Sequence, residues 1–318
     1  MKHRSLPALL ILAALLVPRL VHAEADARDY EGLSAAPNHT VAVWNYLRHM
    51  TQSTKHDLTT NVAVFRATYI LRFGDFTLIP FDASMNVLDS SLQLPLSATA
   101  SQPTGTIHQT GISDLQYFPT LGYNFVENAE NHTHTYGGVT AFLKVPTGTY
   151  SSGDFFHVGG QNRWTFKPQI FVGQRFAKVF TVEAIGNLEI YGNNSSYHVP
   201  TAPGNALGRQ TLKEDSTYNL EVHLAADVHA TMFVGTSLYV GSNGAQYFDL
   251  NPAMATALRS PNPQTVTAKG VVETARFSWG IHVEKQTLLL LQFNQDLKAS
   301  GGSANGRFFG ARISHYFF

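Results

Sequence analysis

Between Tyr218 and Met232 the chain alternates: Tyr218, Leu220, Val222, Leu224, Ala226, Val228, Ala230 and Met232 hold the even positions, while Asn219, Glu221, His223, Asp227 and His229 fall on odd ones. Successive side chains of a strand point to opposite faces, so this period predicts an extended strand with one apolar and one polar face and excludes a helix. Ordinary strands run about five or six residues. An alternation of this length fits a tilted strand that crosses a membrane and continues beyond it.

The same separation recurs. Phe180, Val182, Ala184, Leu188 and Ile190 oppose Glu183, Asn187 and Glu189; Ala63, Phe65, Ala67, Tyr69, Leu71 and Phe73 oppose Arg66, Thr68 and Arg72. Val139, Ala141, Leu143 and Val145 alternate with Thr140 and Lys144, and Ala275, Phe277, Trp279, Ile281 and Val283 with Arg276, Ser278, His282 and Glu284. About twelve such segments are expected, near 39–50, 60–73, 76–88, 112–125, 136–145, 164–176, 179–191, 217–230, 232–242, 271–283, 286–295 and 305–318. Tight spacers such as Gly74-Asp75, Ala177-Lys178 and Glu284-Lys285 alternate with long stretches at 89–111, 146–163, 192–216 and 243–270. Bacterial barrels join their strands by short periplasmic turns and longer outer loops, and this spacing follows that rule. The exception is 126–135, a ten-residue spacer where a short turn belongs. Only helices and closed sheets satisfy their backbone groups in lipid, and the longest later apolar run, Leu288 to Leu291, is too short for a spanning helix. The predicted fold is all-β: an antiparallel transmembrane barrel of about twelve strands over 39–318, preceded by a periplasmic segment at 24–38.

Composition narrows the function. With 22 basic and 22 acidic residues the net charge is zero, which offers no footprint for a nucleic acid. The absence of Cys removes disulfides, thiolate metal sites and a Cys nucleophile. At the start, Lys2, His3 and Arg4 precede an apolar stretch from Leu6 to Val17, and Val21-His22-Ala23 resembles a processing site. Residues 1–23 are therefore expected to be a cleaved export signal, leaving an envelope protein of formal charge −3.

The polar parity set supplies the candidate site. Arg66, Arg72, Lys144, Lys167, Arg175 and Arg276 are matched by Glu183, Glu189, Glu221, Asp227 and Glu284, so the expected lumen carries both signs. Charges facing each other across a pore narrow it and set up a transverse field, which favours small neutral or dipolar solutes. No nucleophile elbow occurs, and no catalytic residue, metal or cofactor is assigned. His223, Asp227 and His229 share a parity but lie roughly 7–13 Å apart along one strand, too far for a single centre. His132 and His134 lack a third ligand. Trp164, Tyr191, Tyr239, Trp279 and Tyr316 are candidates for the interfacial aromatic girdle.

The last segment, Gly306 to Phe318, resembles the C-terminal signal of bacterial outer-membrane barrels, where a final aromatic is read by the barrel assembly machinery. Which of its parities faces lipid stays open: Phe318 and Tyr316 share one with Arg312 and Ser314, and Phe309, Ala311, Ile313 and Phe317 form the other. Asp29-Tyr30-Glu31, Gly111-Ile112-Ser113-Asp114, Val145-Pro146-Thr147-Gly148-Thr149-Tyr150 and Gln161-Asn162-Arg163-Trp164, with Pro168 four residues on, are spread over most of the mature chain. In this order the chain resembles a family of outer-membrane proteins named for a meta-pathway of phenol degradation. The resemblance implies a transporter-like barrel in the outer membrane, with lipid around it and a small, hydrophobic or aromatic cargo taken up passively. A barrel enzyme acting on lipid or a small substrate, and an adhesive or structural barrel, are the rival readings.

Overall fold

The computed structural model describes residues 28–53, 58–95, 104–128, 133–150, 159–198, 209–249, 263–301 and 305–318. The expected export signal and His132 lie outside these residues. A short helix, α1 (Asp29–Ala35), precedes β1 (Thr40–Ser53), β2 (Leu58–Phe73), β3 (Phe76–Pro95), β4 (Thr104–Ile112), β5 (Leu115–Tyr117) and β6 (Thr120–Asn128). Next come β7 (Thr133–Val145), β8 (Thr165–Phe176), β9 (Phe180–Tyr191), β10 (Asn194–His198), β11 (Arg209–Glu214) and β12 (Thr217–His229). The chain ends through β13 (Met232–Asn243), β14 (Gln246–Phe248), β15 (Gln264–Thr267), β16 (Gly270–Glu284), β17 (Thr287–Ala299) and β18 (Asn305–Phe317).

Every pairing is antiparallel, and the sheet closes because β1 pairs with both β2 and β18. The segments β4, β5 and β6 run in succession along β3 and together make one interrupted stave, so the closed wall is a twelve-stranded transmembrane barrel. The remaining strands β10, β11, β14 and β15 form a separate four-stranded sheet that extends the long connections beyond the barrel. It has its own small core of Tyr197, Leu212 and Phe248, and burial pushes the Tyr197 phenol up to about 12. Among the described residues no helix is long and apolar enough to cross a membrane.

Parity governs which way each residue faces. Along β8 burial alternates strictly: Phe166, Ile170 and Val172 point outward, while Thr165, Lys167, Gln169 and Phe171 point in. The outer surface is correspondingly greasy, with Leu220, Leu224, Phe277 and Val283 all more than a third exposed. The open question of the last strand resolves the same way: Phe309, Ile313 and Phe317 face outward, whereas Phe308, Arg312 and Ser314 are buried in the interior. Phe318 lies beyond the strand and is exposed.

Two expectations change. The spacer at 126–135 is mostly strand, because β6 continues to Asn128 and β7 starts at Thr133. The N-terminal segment expected in the periplasm does not stay there. From Arg28 onward it enters the barrel, and Asp29, Tyr30, Glu31 and Leu33 are all buried among wall residues.

Candidate functional site

Helix α1 lies inside the barrel against its wall, and the wall supplies what so short a helix lacks. The first N–H groups of a helix have no partner within it. Here the Glu183 carboxylate of β9 accepts the backbone N–H of Arg28 at 2.9 Å and of Glu31 at 3.0 Å, placing a negative group at the positive end of α1. The hydroxyl of Tyr136 donates to the same carboxylate at 2.7 Å. Tyr136 reaches this point because Gly173 faces it: a Cβ there would lie 2.3 Å from the ring.

Charged pairs fasten the rest of the helix. Glu31 is held between Arg28 and Arg175, both guanidinium groups also reach Asp227, and Thr181 donates to Glu31 at 2.8 Å. Asp29 accepts two hydrogen bonds from Arg312, at 2.9 and 3.3 Å, both side chains being buried. Tyr30 stacks on Phe171 with 3.9 Å between centroids, and its oxygen accepts from the Gln169 side chain. The Asp-Tyr-Glu run thus sends three side chains to three different parts of the wall.

Above α1 the interior is lined by cations laid on aromatic rings. Arg66 forms a two-pronged pair with Asp82 and lies 3.8 Å from the Trp44 ring and 4.4 Å from that of Phe118. Lys167 sits 4.0 Å from Phe142, and Arg276 bonds Asn294 at 2.7 Å while facing Tyr239. Lys144 pairs with Glu189 at 2.9 Å, and Glu221 takes a hydrogen bond from Asn219 at 2.6 Å. Arg276, His223 and Tyr239 are each under 2% exposed, so these side chains are closed to water. Nearer the outer end, on the β1–β4 side, the interior face changes character. Leu58, Val62, Leu88 and Leu92 are buried together, with Met50, Val64 and Ile107 packed against them.

Ten of the eleven charged residues expected in the lumen therefore fall on the inward parity of their strands. Arg72 lies at the periplasmic end of β2, next to the Gly74-Asp75 turn. Glu284 is the exception; it is exposed at the last position of β16, beside the turn. Rather than facing one another across open space, opposite charges pair directly. His223 and Asp227 do not converge: His223 meets Ser237 at 2.7 Å and Glu221 at 3.4 Å, while Asp227 serves the two arginines. His134 meets Asn124 at 3.1 Å. Among the described residues no group of three His, Asp or Glu side chains is placed to hold a metal. The aromatic girdle is smaller than expected: Trp164 and Trp279 face outward, but Tyr239 is fully buried inside, and Tyr191 and Tyr316 also turn inward.

The other motif residues build the wall. Where β4 breaks from β5, Asp114 turns in and accepts the N–H groups of Gly148 at 3.0 Å and Gln161 at 2.8 Å. Thr149 bonds Ile112 through both its backbone N–H, at 2.8 Å, and its hydroxyl, at 3.1 Å. Gly148 is needed for close approach, since a Cβ would come within 2.7 Å of Asp114 N and Ile112 O. Gly148, Thr149 and Gln161 thus dock on the interrupted stave, and Arg163, further along, pairs with Glu214 over the Tyr191 ring.

A known structure shares this architecture. An outer membrane channel from Pseudomonas putida F1 superposes with a TM-score of 0.72 at 18% identity, covering 92% of this chain and 100% of that one. The translocator domain of the autotransporter NalP from Neisseria meningitidis gives 0.48 at 8% identity over 91% and 92%. The Pseudomonas putida toluene transporter TodX gives 0.44 at 10% over 89% and 90%. No curated protein sequence matches. The family model described as "Putative MetA-pathway of phenol degradation" matches residues 37–275, and this chain belongs to that family.

Proposed function

We propose that this protein is a channel of the bacterial outer membrane through which small hydrophobic or aromatic molecules pass without an energy source, with α1 closing its periplasmic half. The observation that carries the reading is the division of the interior: a buried apolar patch at the outer end leads toward a stage of aromatic rings and paired charges, beneath which the chain's own N-terminal segment is bound. An apolar entry favours greasy solutes, and charges already satisfied by their neighbours do not attract free ions. Arg66, Lys144, Lys167, Glu189, Glu221 and Arg276 line the path; Arg72, Arg175, Glu183 and Asp227 stand around the helix, and Glu284 sits at the periplasmic rim. No residue has a catalytic role in this reading. The shared architecture with an outer-membrane channel agrees with it, and the outward Phe309, Ile313 and Phe317 of β18 give the barrel assembly machinery an alternating last strand to engage.

The test is flux. Vesicles with lipopolysaccharide in the outer leaflet, which resists apolar solutes, are prepared with and without the purified protein. The reading expects small aromatic compounds such as toluene or phenol to enter the protein-bearing vesicles faster, with little change for a sugar of similar mass. Equal entry with and without protein contradicts it.

A further inference from the structure

Arg66, Arg312 and Lys144 each meet a carboxylate inside the barrel, and Arg276 has the Asn294 amide; Arg48 has neither. It stands on the inward parity of β1 between Tyr46 and Met50, half-buried, with its guanidinium 4.1 Å from the Tyr46 ring and 5.5 Å from that of Phe308. Among the described residues no carboxylate pairs with it, and its buried Nε has no hydrogen-bond partner. The ring beneath it has its place because Gly310 of β18 faces it: a Cβ there would come within 2.5 Å of Tyr46. A guanidinium laid on a ring uses its face and leaves its in-plane N–H groups for an acceptor.

Beside this cation lies the apolar patch. In the strand register Arg48 stands opposite Val62, which stands opposite Leu88, so it borders the buried group of Leu58, Val62, Leu88 and Leu92. Met50, the next inward residue of β1, packs against the same group. From Val62 to Leu58 and from Leu88 to Leu92 the patch runs toward the outer end for roughly 13 Å of strand. Within it Thr60 and Ser90 satisfy each other at 2.9 Å, so hydrocarbon laid there takes no partner from them. We infer that Arg48 and the patch form one binding site for an apolar monocarboxylate, with the carboxylate on the guanidinium and the hydrocarbon along the patch. The inference rests on the channel reading and names a class of cargo within it. A carboxylate offers two oxygens to the planar fork of N–H groups, and its one charge balances the one cation. A phosphate monoester brings nearly two charges and leaves one of them unbalanced. An alcohol leaves the guanidinium uncompensated, and an amine is repelled by it.

The test is equilibrium binding of radiolabelled octanoate to the protein in lipid nanodiscs, with uptake by empty nanodiscs subtracted. Arg48→Gln, which removes the charge, should weaken binding by about tenfold or more, the worth of hydrogen bonds to a charged group, and Arg48→Lys should keep part of it. Unlabelled octanoate should displace the label, whereas octanol and octylamine should not. Butyrate, four methylenes shorter, should need a concentration on the order of a hundredfold higher. Leu92→Asn, at the far end of the patch, should weaken octanoate and leave butyrate unchanged. Migration of the unheated protein on gels verifies that each variant is a folded barrel. Binding that Arg48→Gln leaves unchanged, displacement by octanol as strong as by octanoate, or stronger displacement by octyl phosphate overturns the inference. If toluene still enters protein-bearing vesicles in that case, the channel reading stands and only the carboxylate site falls. Binding that depends on Arg48 without entry of any apolar solute keeps the site and removes the channel reading.

Discussion

The two halves of the interior are held together by different physics. On the periplasmic side, buried charges meet in pairs: Asp29 with Arg312, and Glu31 and Asp227 with Arg28 and Arg175. On the outer side, Leu58, Val62, Leu88 and Leu92 are buried together, and among the described residues the only polar side chains between them, Thr60 and Ser90, bond each other at 2.9 Å and carry no charge. Ion pairs of this kind add little net stability but are costly to break one partner at a time, so they hold one arrangement and release it as a whole. Apolar contacts are non-directional and exchange readily for another apolar molecule. The contrast suits a barrel that is latched at one end and receptive at the other.

The sharpest way to break the comparison is to remove one member of a latch pair. Arg312→Ala leaves Asp29 charged and buried, and should weaken docking of α1 by about 3–5 kcal/mol. The expected result is a marked rise in the time spent conducting in planar bilayers, with the barrel still folded. Turning to the wall that both halves share, Ile170→Arg places a charge on an outward side chain that is 65% exposed toward lipid. It should cost about 2–4 kcal/mol if Ile170 lies near the bilayer centre, read by urea unfolding from lipid vesicles. At the receptive end, Leu92→Asn puts an amide into the apolar patch at about 1–3 kcal/mol. Its diagnostic effect is slower entry of toluene with the resting conductance unchanged. The smallest change belongs to Lys298→Ala, which removes an exposed partner of Glu273 and should alter stability by less than about 1 kcal/mol.

Much of the wall was legible from residue parity, because lipid outside and polar groups inside impose a period of two on every stave. That rule placed Arg66, Lys167, Glu183, Glu221 and Arg276 inside the barrel from the sequence alone. It failed where its physical basis lapses. Asp82, the partner of Arg66, escaped notice because the β2–β3 register shifts beside Pro80, which moves the inward set of β3 from odd to even positions. Tyr239 and Tyr316 read as lipid-facing because an aromatic ring suits an interface, yet inside this barrel rings serve as platforms for arginine. Helix α1 left no periodic trace, since seven residues held from all sides need no apolar stripe of their own. The signal that could have found it was the density of charge in Arg28-Asp29-Tyr30-Glu31, which is unusual just before a first membrane strand.

The central claim is that the N-terminal segment closes a barrel whose wall is otherwise a conduit. Single-channel recording in planar bilayers, comparing a chain that starts at residue 24 with one that starts at residue 37, tests it directly. Small or flickering conductance is expected for the longer chain and large, steady steps for the shorter one. Equal conductance from two properly folded barrels would contradict it.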